Sequence, residues 1–197
     1  MSWMATERFE ARAAPGGLAL VQELVNTHAV DRDGEDLLPD RASAQDWLQA
    51  AARQWAQARG LVCPDLVVAE TDLRRLRNLR SIVTYMLAVP ADERPTGTPV
   101  GVTVHARANL VSDNEGRVGI EPVGAGGSWL ESAVWSEILL AQQTGTWFRL
   151  KLCRERGCRS AFYDASRNHS GVWHNVHHCG NITNLRASRT RRKAQEH

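Results

Sequence analysis

The sequence predicts an α+β protein: a mostly helical N-terminal domain with a β-hairpin, then a small cysteine-bearing C-terminal module that ends in a basic helix. Three observations predict it. Apolar residues recur at helical spacing in four stretches between residues 18 and 143. Two β-rich runs flank a turn sequence near residue 114. Three of the four cysteines, Cys153, Cys158 and Cys179, fall in the last 49 residues. A chain of 197 residues can bury a core without disulfides. Its 43% hydrophobic and 23% charged residues exclude a globally disordered chain. No apolar run is long enough for a membrane-spanning helix. Residues 1–12 carry acids and no apolar core, unlike a signal peptide, so a cytoplasmic location with reduced thiols is expected.

Residues 1–17, ending in Pro15-Gly16-Gly17, read as a flexible leader before a regulatory domain at 18–148. In residues 18–29, Leu18, Val21, Leu24 and Val25 share a helix face. An acidic loop follows at 31–40. Ser43, with Asp46 three residues on, reads as the cap of a second helix that carries Trp47, Leu48, Ala51 and Trp55 and stops near Gly60. Pro64-Asp65 opens a predicted third helix over 65–88, with Leu66, Leu73, Leu76, Leu79, Ile82, Val83 and Leu87 as its stripe. A proline-bearing loop at 90–99 precedes the hairpin, whose turn is Ser112–Gly116. After Gly124–Gly127 a fourth helix runs from Ser128 to about Gln143, with Trp129, Val134, Trp135, Ile138 and Leu139 apolar.

The net charge is only +2, which taken alone weighs against a polyanion partner. The charge is not spread evenly. Residues 149–197 hold eleven cations and three anions, a net of +8, and the remainder is −6. A basic module on an acidic body is attracted to polyanions through the module alone.

The cysteines have the spacing C-x4-C-x15-H-x4-C through Cys153, Cys158, His174 and Cys179. Two chelating pairs separated by a short folded stretch suit a tetrahedral structural Zn2+ site, and Cys3His is a standard closed set. Metal affinity would then replace the core that so small a module lacks. His174 mirrors the spacing of the first pair, but His169, His177 and His178 lie nearby and keep the fourth ligand open. Phe162 and Trp173 read as the small core of the module, and Asp164 as a local turn acceptor.

The stretch from Cys153 to Asn181 resembles the bacterial CGNR zinc-finger family. The first Cys pair, Phe162-Tyr163-Asp164 with Ser166-Arg167-Asn168, Trp173 and Cys179-Gly180-Asn181 carry the resemblance. His174 stands where the family has a cysteine, and Ile182 where it has the arginine of its name. The resemblance also implies an N-terminal helical domain of stress-induced transcription regulators, with Leu24–Thr27 and Leu73–Ile82 as its weaker match. It implies a DNA-binding transcription regulator.

After Cys179-Gly180, Arg186, Arg189 and Lys193 fall on one helical stripe, with Arg191 and Arg192 beside it and Asn181 or Thr183 as candidate cap. Arg154, Arg156, Arg159 and Arg167 would extend this surface toward double-stranded DNA. No catalytic or nucleotide-loop motif is found, so no enzymatic activity is expected. Asn26, Arg77 and Arg80, polar residues on apolar-striped helices, could line a pocket for a small-molecule effector, and the small size of the module makes a homodimer through the body an expectation. A zinc-stapled protein-interaction module and a small-molecule-binding protein with an accessory zinc finger are the competing readings.

Overall fold

The computed structural model describes residues 2–29, 34–94 and 103–195. In the last helix, the side chains of residues 187, 189–191 and 193–195 fall outside the description. The expected acidic and proline-bearing loops lie partly outside it too, at 30–33 and 95–102.

The centre of the fold is α2 (Leu18–Val25), whose eight residues are all buried. It touches α1 (Met4–Glu7), α3 (Arg41–Arg59), α4 (Asp72–Ala88), α5 (Gly126–Gln143) and strand β4 (Ala161–Tyr163). The expected helix over 18–29 therefore stops at Val25, and Asn26 caps its last turn through its backbone N–H. A helix packed on every side buries its polar residues as well, and each is satisfied. Gln22 donates to the carbonyls of Arg12 and Ala161 and accepts from Ala14 N–H. Glu23 accepts from the N–H groups of Ala5 and Thr6, at 2.7 and 2.9 Å. Burial pushes its carboxyl above the usual range, though the two amides oppose this.

The expected leader is packed. Trp3, Ala5, Phe9 and Ala14 are buried, because the acidic and basic residues around them mask an apolar set that has a surface to cover. Asp40, not Ser43, caps α3 by accepting from Ser43 N–H at 2.8 Å, and Gly60 ends the helix at φ +66°. The third predicted helix begins seven residues late. Residues 64–69 form no helix and 70–71 make a turn; the segment is tied to α3 by Gln45 and Gln49, which bond the backbone of Leu66, Val68 and Pro64. Side-chain amides thus compete for the backbone that a helix would need. In α4, Leu76, Leu79, Val83 and Leu87 are buried, while Ile82 faces out.

In α5, Leu139 is exposed and Trp135 only half buried. Its first turn lies against Asp72. Gly126, at φ +50°, sits where a Cβ would strike the Asp72 carboxylate and the Val67 carbonyl. Glu137, buried in α5, accepts from Trp55 Nε1 at 2.7 Å and pairs with Arg59.

The first hairpin pairs β1 (Ala108–Ser112) with β2 (Val118–Pro122), with Ala108 opposite Pro122 and Ser112 opposite Val118. Its first strand starts later than the predicted run, and all of β1 is exposed. After α5 and a 3-10 turn at Trp147–Arg149, β3 (Leu150–Leu152) pairs antiparallel with β4, Leu150 opposite Tyr163. Leu150 and Ala161 of this hairpin are fully buried in the main core, so the C-terminal module is rooted in the helical body.

Candidate metal centre

The hairpin β3–β4 brings the two ends of the first knuckle together. Cys153 N–H donates to Ser160 O at 2.8 Å, and Cys158 and Arg159 N–H turn back to Glu155 O. Arg159 takes φ +50°, a left-handed conformation that usually goes to glycine. Of the other pair, Cys179 lies on a π-helical turn, Val176–Gly180, that leads straight into α6 (Asn181–Gln195), and His174 lies two residues before that turn. Asn175 caps that turn by accepting from His178 N–H at 3.0 Å. Neither Asn181 nor Thr183 caps α6: their side chains bond back to His177 O and Cys179 O.

These elements converge on four side chains. The ligand atoms of Cys153, Cys158, His174 and Cys179 all lie within 4.8 Å of one another. His174 Nδ1 is 3.3 Å from Cys158 Sγ and 3.6 Å from Cys179 Sγ. A tetrahedral ion with bonds of about 2.3 Å to sulfur needs ligand atoms roughly 3.5–4 Å apart. The cluster has that size. His174 is the histidine that the fold places beside the sulfurs: His177 and His178 are exposed, and the His169 ring lies tilted at 4.7 Å from Phe148.

The electrostatics suit a cation. Hydrogen bonding from Cys153, then from His174 and Ser160, outweighs burial and holds the Cys158 thiol far below its usual range. The same pairing with Cys158, together with burial, pushes Cys153 up, and burial pushes Cys179 up to about 11. Three sulfurs this close cannot all ionise against one another, whereas a dication bound among them removes that repulsion. The fit of the site is therefore to a metal bound by three thiolates and one imidazole.

Around the ligands, Phe162 is buried and Trp173 packs beside it, forming with the cysteines the expected small core. Two further residues were not legible as part of the site. Phe9 joins this core, its ring 5.5 Å from His28 and edge-on at 6.1 Å to His174. His28 reaches Cys158 O at 3.1 Å through Nε2 and Val25 O through Nδ1. The signal for Phe9 was present: large aromatics in a supposed leader argue for packing. Asp164 acts as the turn acceptor that was expected, taking bonds from Lys151 Nζ at 2.8 Å, Ser166 N–H and Gly171 N–H.

The predicted pocket residues are drawn into separate structural roles. Asn26 is fully buried and clamps β4, donating to Ala161 O at 3.0 Å and accepting from Ala161 N–H at 2.7 Å. Arg77 donates to the carbonyls of Leu38 and Pro39. Arg80 forms a paired bond to Asp36 and reaches Thr27. Their polar groups are spent on the fold rather than gathered toward a common ligand.

Among the predicted phosphate contacts, Arg154, Arg156, Arg159, Arg167 and Arg192 are exposed. Arg186 pairs with Glu155, which is 5% exposed, so this cation also ties α6 to the first knuckle. The side chains of Arg189, Arg191 and Lys193 lie outside the described residues, although their backbone belongs to α6.

Among the described residues, no helix is long and apolar enough to cross a membrane. No curated protein matches the chain. A protein-family comparison does find a match: residues 149–192, which carry all four candidate ligands, are similar to the CGNR zinc finger.

Proposed function

We propose that the protein is a non-enzymatic, zinc-stabilised DNA-binding transcription regulator, with the helical body as its regulatory or dimerisation part. The observation that carries the reading is a closed Cys3His cluster inside a segment of net charge +8. Thiolate-rich tetrahedral sets favour zinc over harder ions, and all four positions are filled by protein, so the site is structural. A basic segment held in shape by such a site suits the phosphate backbone of duplex DNA.

Two measurements test this. Purified protein should contain one zinc per chain, and His174→Cys should keep it. His174→Ala should lose zinc, and a full zinc content in that variant would show that His174 is not the fourth ligand. Zinc-loaded protein should bind a random duplex with an affinity that falls steeply with salt. No binding at about 50 mM salt would remove the DNA reading. A stable acidic co-purifying protein, with indifference to nucleic acid, would leave the protein-interaction reading in its place.

A further inference from the structure

A cleft of about 760 Å3 separates the first knuckle from the C-terminal end of α4. Its knuckle wall carries Arg154, Arg156 and Arg159, all exposed. Among the described residues none of the three pairs with a carboxylate. The other charges near the cleft are largely accounted for. Glu155 is turned to Arg186, and Lys151 to Asp164, leaving Asp92 as the exposed acid among the lining residues. Arg159 continues into a neighbouring hollow of about 440 Å3, whose far wall is Ser81, Thr84 and Tyr85 on the outer face of α4.

The end of a helix normally repels anions, because its last carbonyls point outward. Here Arg94 removes that obstacle. Its guanidinium donates to Leu87 O and Val89 O at the end of α4, and to Trp147 O and Leu150 O below. It lies over the Trp147 ring and has no carboxylate partner among the described residues. A full positive charge therefore sits beside the cleft in addition to the three arginines. Arg159, moreover, holds a left-handed backbone that glycine would adopt without cost, so its side chain is kept at a conformational expense.

We infer that the cleft between α4 and the first knuckle, continued into the neighbouring hollow, seats the phosphodiester backbone of DNA, with Arg154, Arg156 and Arg159 on the knuckle side and Tyr85 across the hollow from Arg159. The helical body is then part of the nucleic-acid interface. This inference rests on the DNA-binding reading above and adds a location to it. Tyr85 is 78% exposed on α4, where its ring and hydroxyl can meet sugar and phosphate.

The test uses full-length, zinc-loaded protein and a 20-bp random duplex, with affinity read by fluorescence anisotropy over a salt series. Arg154→Gln with Arg156→Gln should reduce the slope of log K against log salt by about 2, at roughly 0.9 per phosphate. Arg159→Gly should weaken binding several-fold while Tm holds or rises, since glycine suits that backbone. Tyr85→Glu, which places an anion on the far wall of the hollow at an exposed position, should weaken binding about five-fold or more at low salt. Arg53→Gln, an exposed change on α3, should leave binding unaltered. A wild-type slope in the double variant overturns the phosphate seat. A wild-type Kd in Tyr85→Glu overturns the role of α4. Wild-type protein that binds no duplex at low salt defeats the DNA-binding reading itself, a result distinct from either.

Discussion

At the scale of single residues, Asn26 shows how much one buried amide can decide. It makes both backbone bonds that a neighbouring strand would make with Ala161, and so joins α2 to the zinc-finger hairpin. Asn26→Ala leaves a buried N–H without its partner and a buried carbonyl, still held by Gln22, with one bond fewer, a loss of about 2–4 kcal/mol: roughly 1–3 for the unsatisfied N–H and about 1 for the lost bond. Urea unfolding should show this as a lower midpoint with an unchanged m-value. Asp164 carries a pH dependence. Burial raises its carboxyl, but Lys151, Ser166 and Gly171 together outweigh burial and hold it well below the usual range. A depressed carboxyl contributes stability that is present above the unfolded pKa of about 3.9 and is lost as pH falls below it. Asp164→Asn should therefore cost stability at pH 7 and progressively less as the pH drops through that range, measured by denaturant titration at several pH values.

At the scale of elements, the N-terminal segment is a strap over the metal cluster. Phe9 packs on the cysteines and on His174, and Arg8 anchors the strap to the carbonyls of Asn26, His28 and Glu35. Phe9→Ala should open the cluster to solvent. The expected result is loss of about 3 kcal/mol of stability and faster zinc transfer to a chromophoric chelator. Zinc release at the wild-type rate would show that the strap does not shield the site. The late start of α4 has a physical cause in α3. The Pro64–Thr71 segment has helix-compatible composition, yet Gln45 and Gln49 on α3 take its backbone groups, and such side-chain partners are invisible to periodicity.

At the scale of the whole molecule, the uneven charge suggests a basic tail hung on an acidic body, so that losing the metal would unfold the tail alone. The structure predicts otherwise. Leu150 and Ala161 lie in the main core, Asn26 and Gln22 bond Ala161, and Arg94 bonds the carbonyls of Trp147 and Leu150. Chelation of the metal should therefore lower the Tm of the helical body as well, followed by far-UV circular dichroism and by Trp55 and Trp129, which pack edge-on at 5.4 Å within it. An unchanged helical transition after zinc removal would show that the two parts fold independently.

The sequence by itself determined the three clustered cysteines, the helical stretches and the concentration of cations in the last 49 residues. Metal spacing, apolar periodicity and charge runs are local patterns, readable within a few turns of chain. His174 was favoured by spacing but became distinct from His169, His177 and His178 only once the fold placed its Nδ1 among the sulfurs. Only the tertiary structure decided that Asn26, Arg77 and Arg80 each brace a different part of the fold, that Arg186 answers a buried Glu155, and that Phe9 packs on the candidate metal site. These contacts join residues far apart in the chain, and a polar or aromatic side chain carries no local mark of which distant partner will satisfy it.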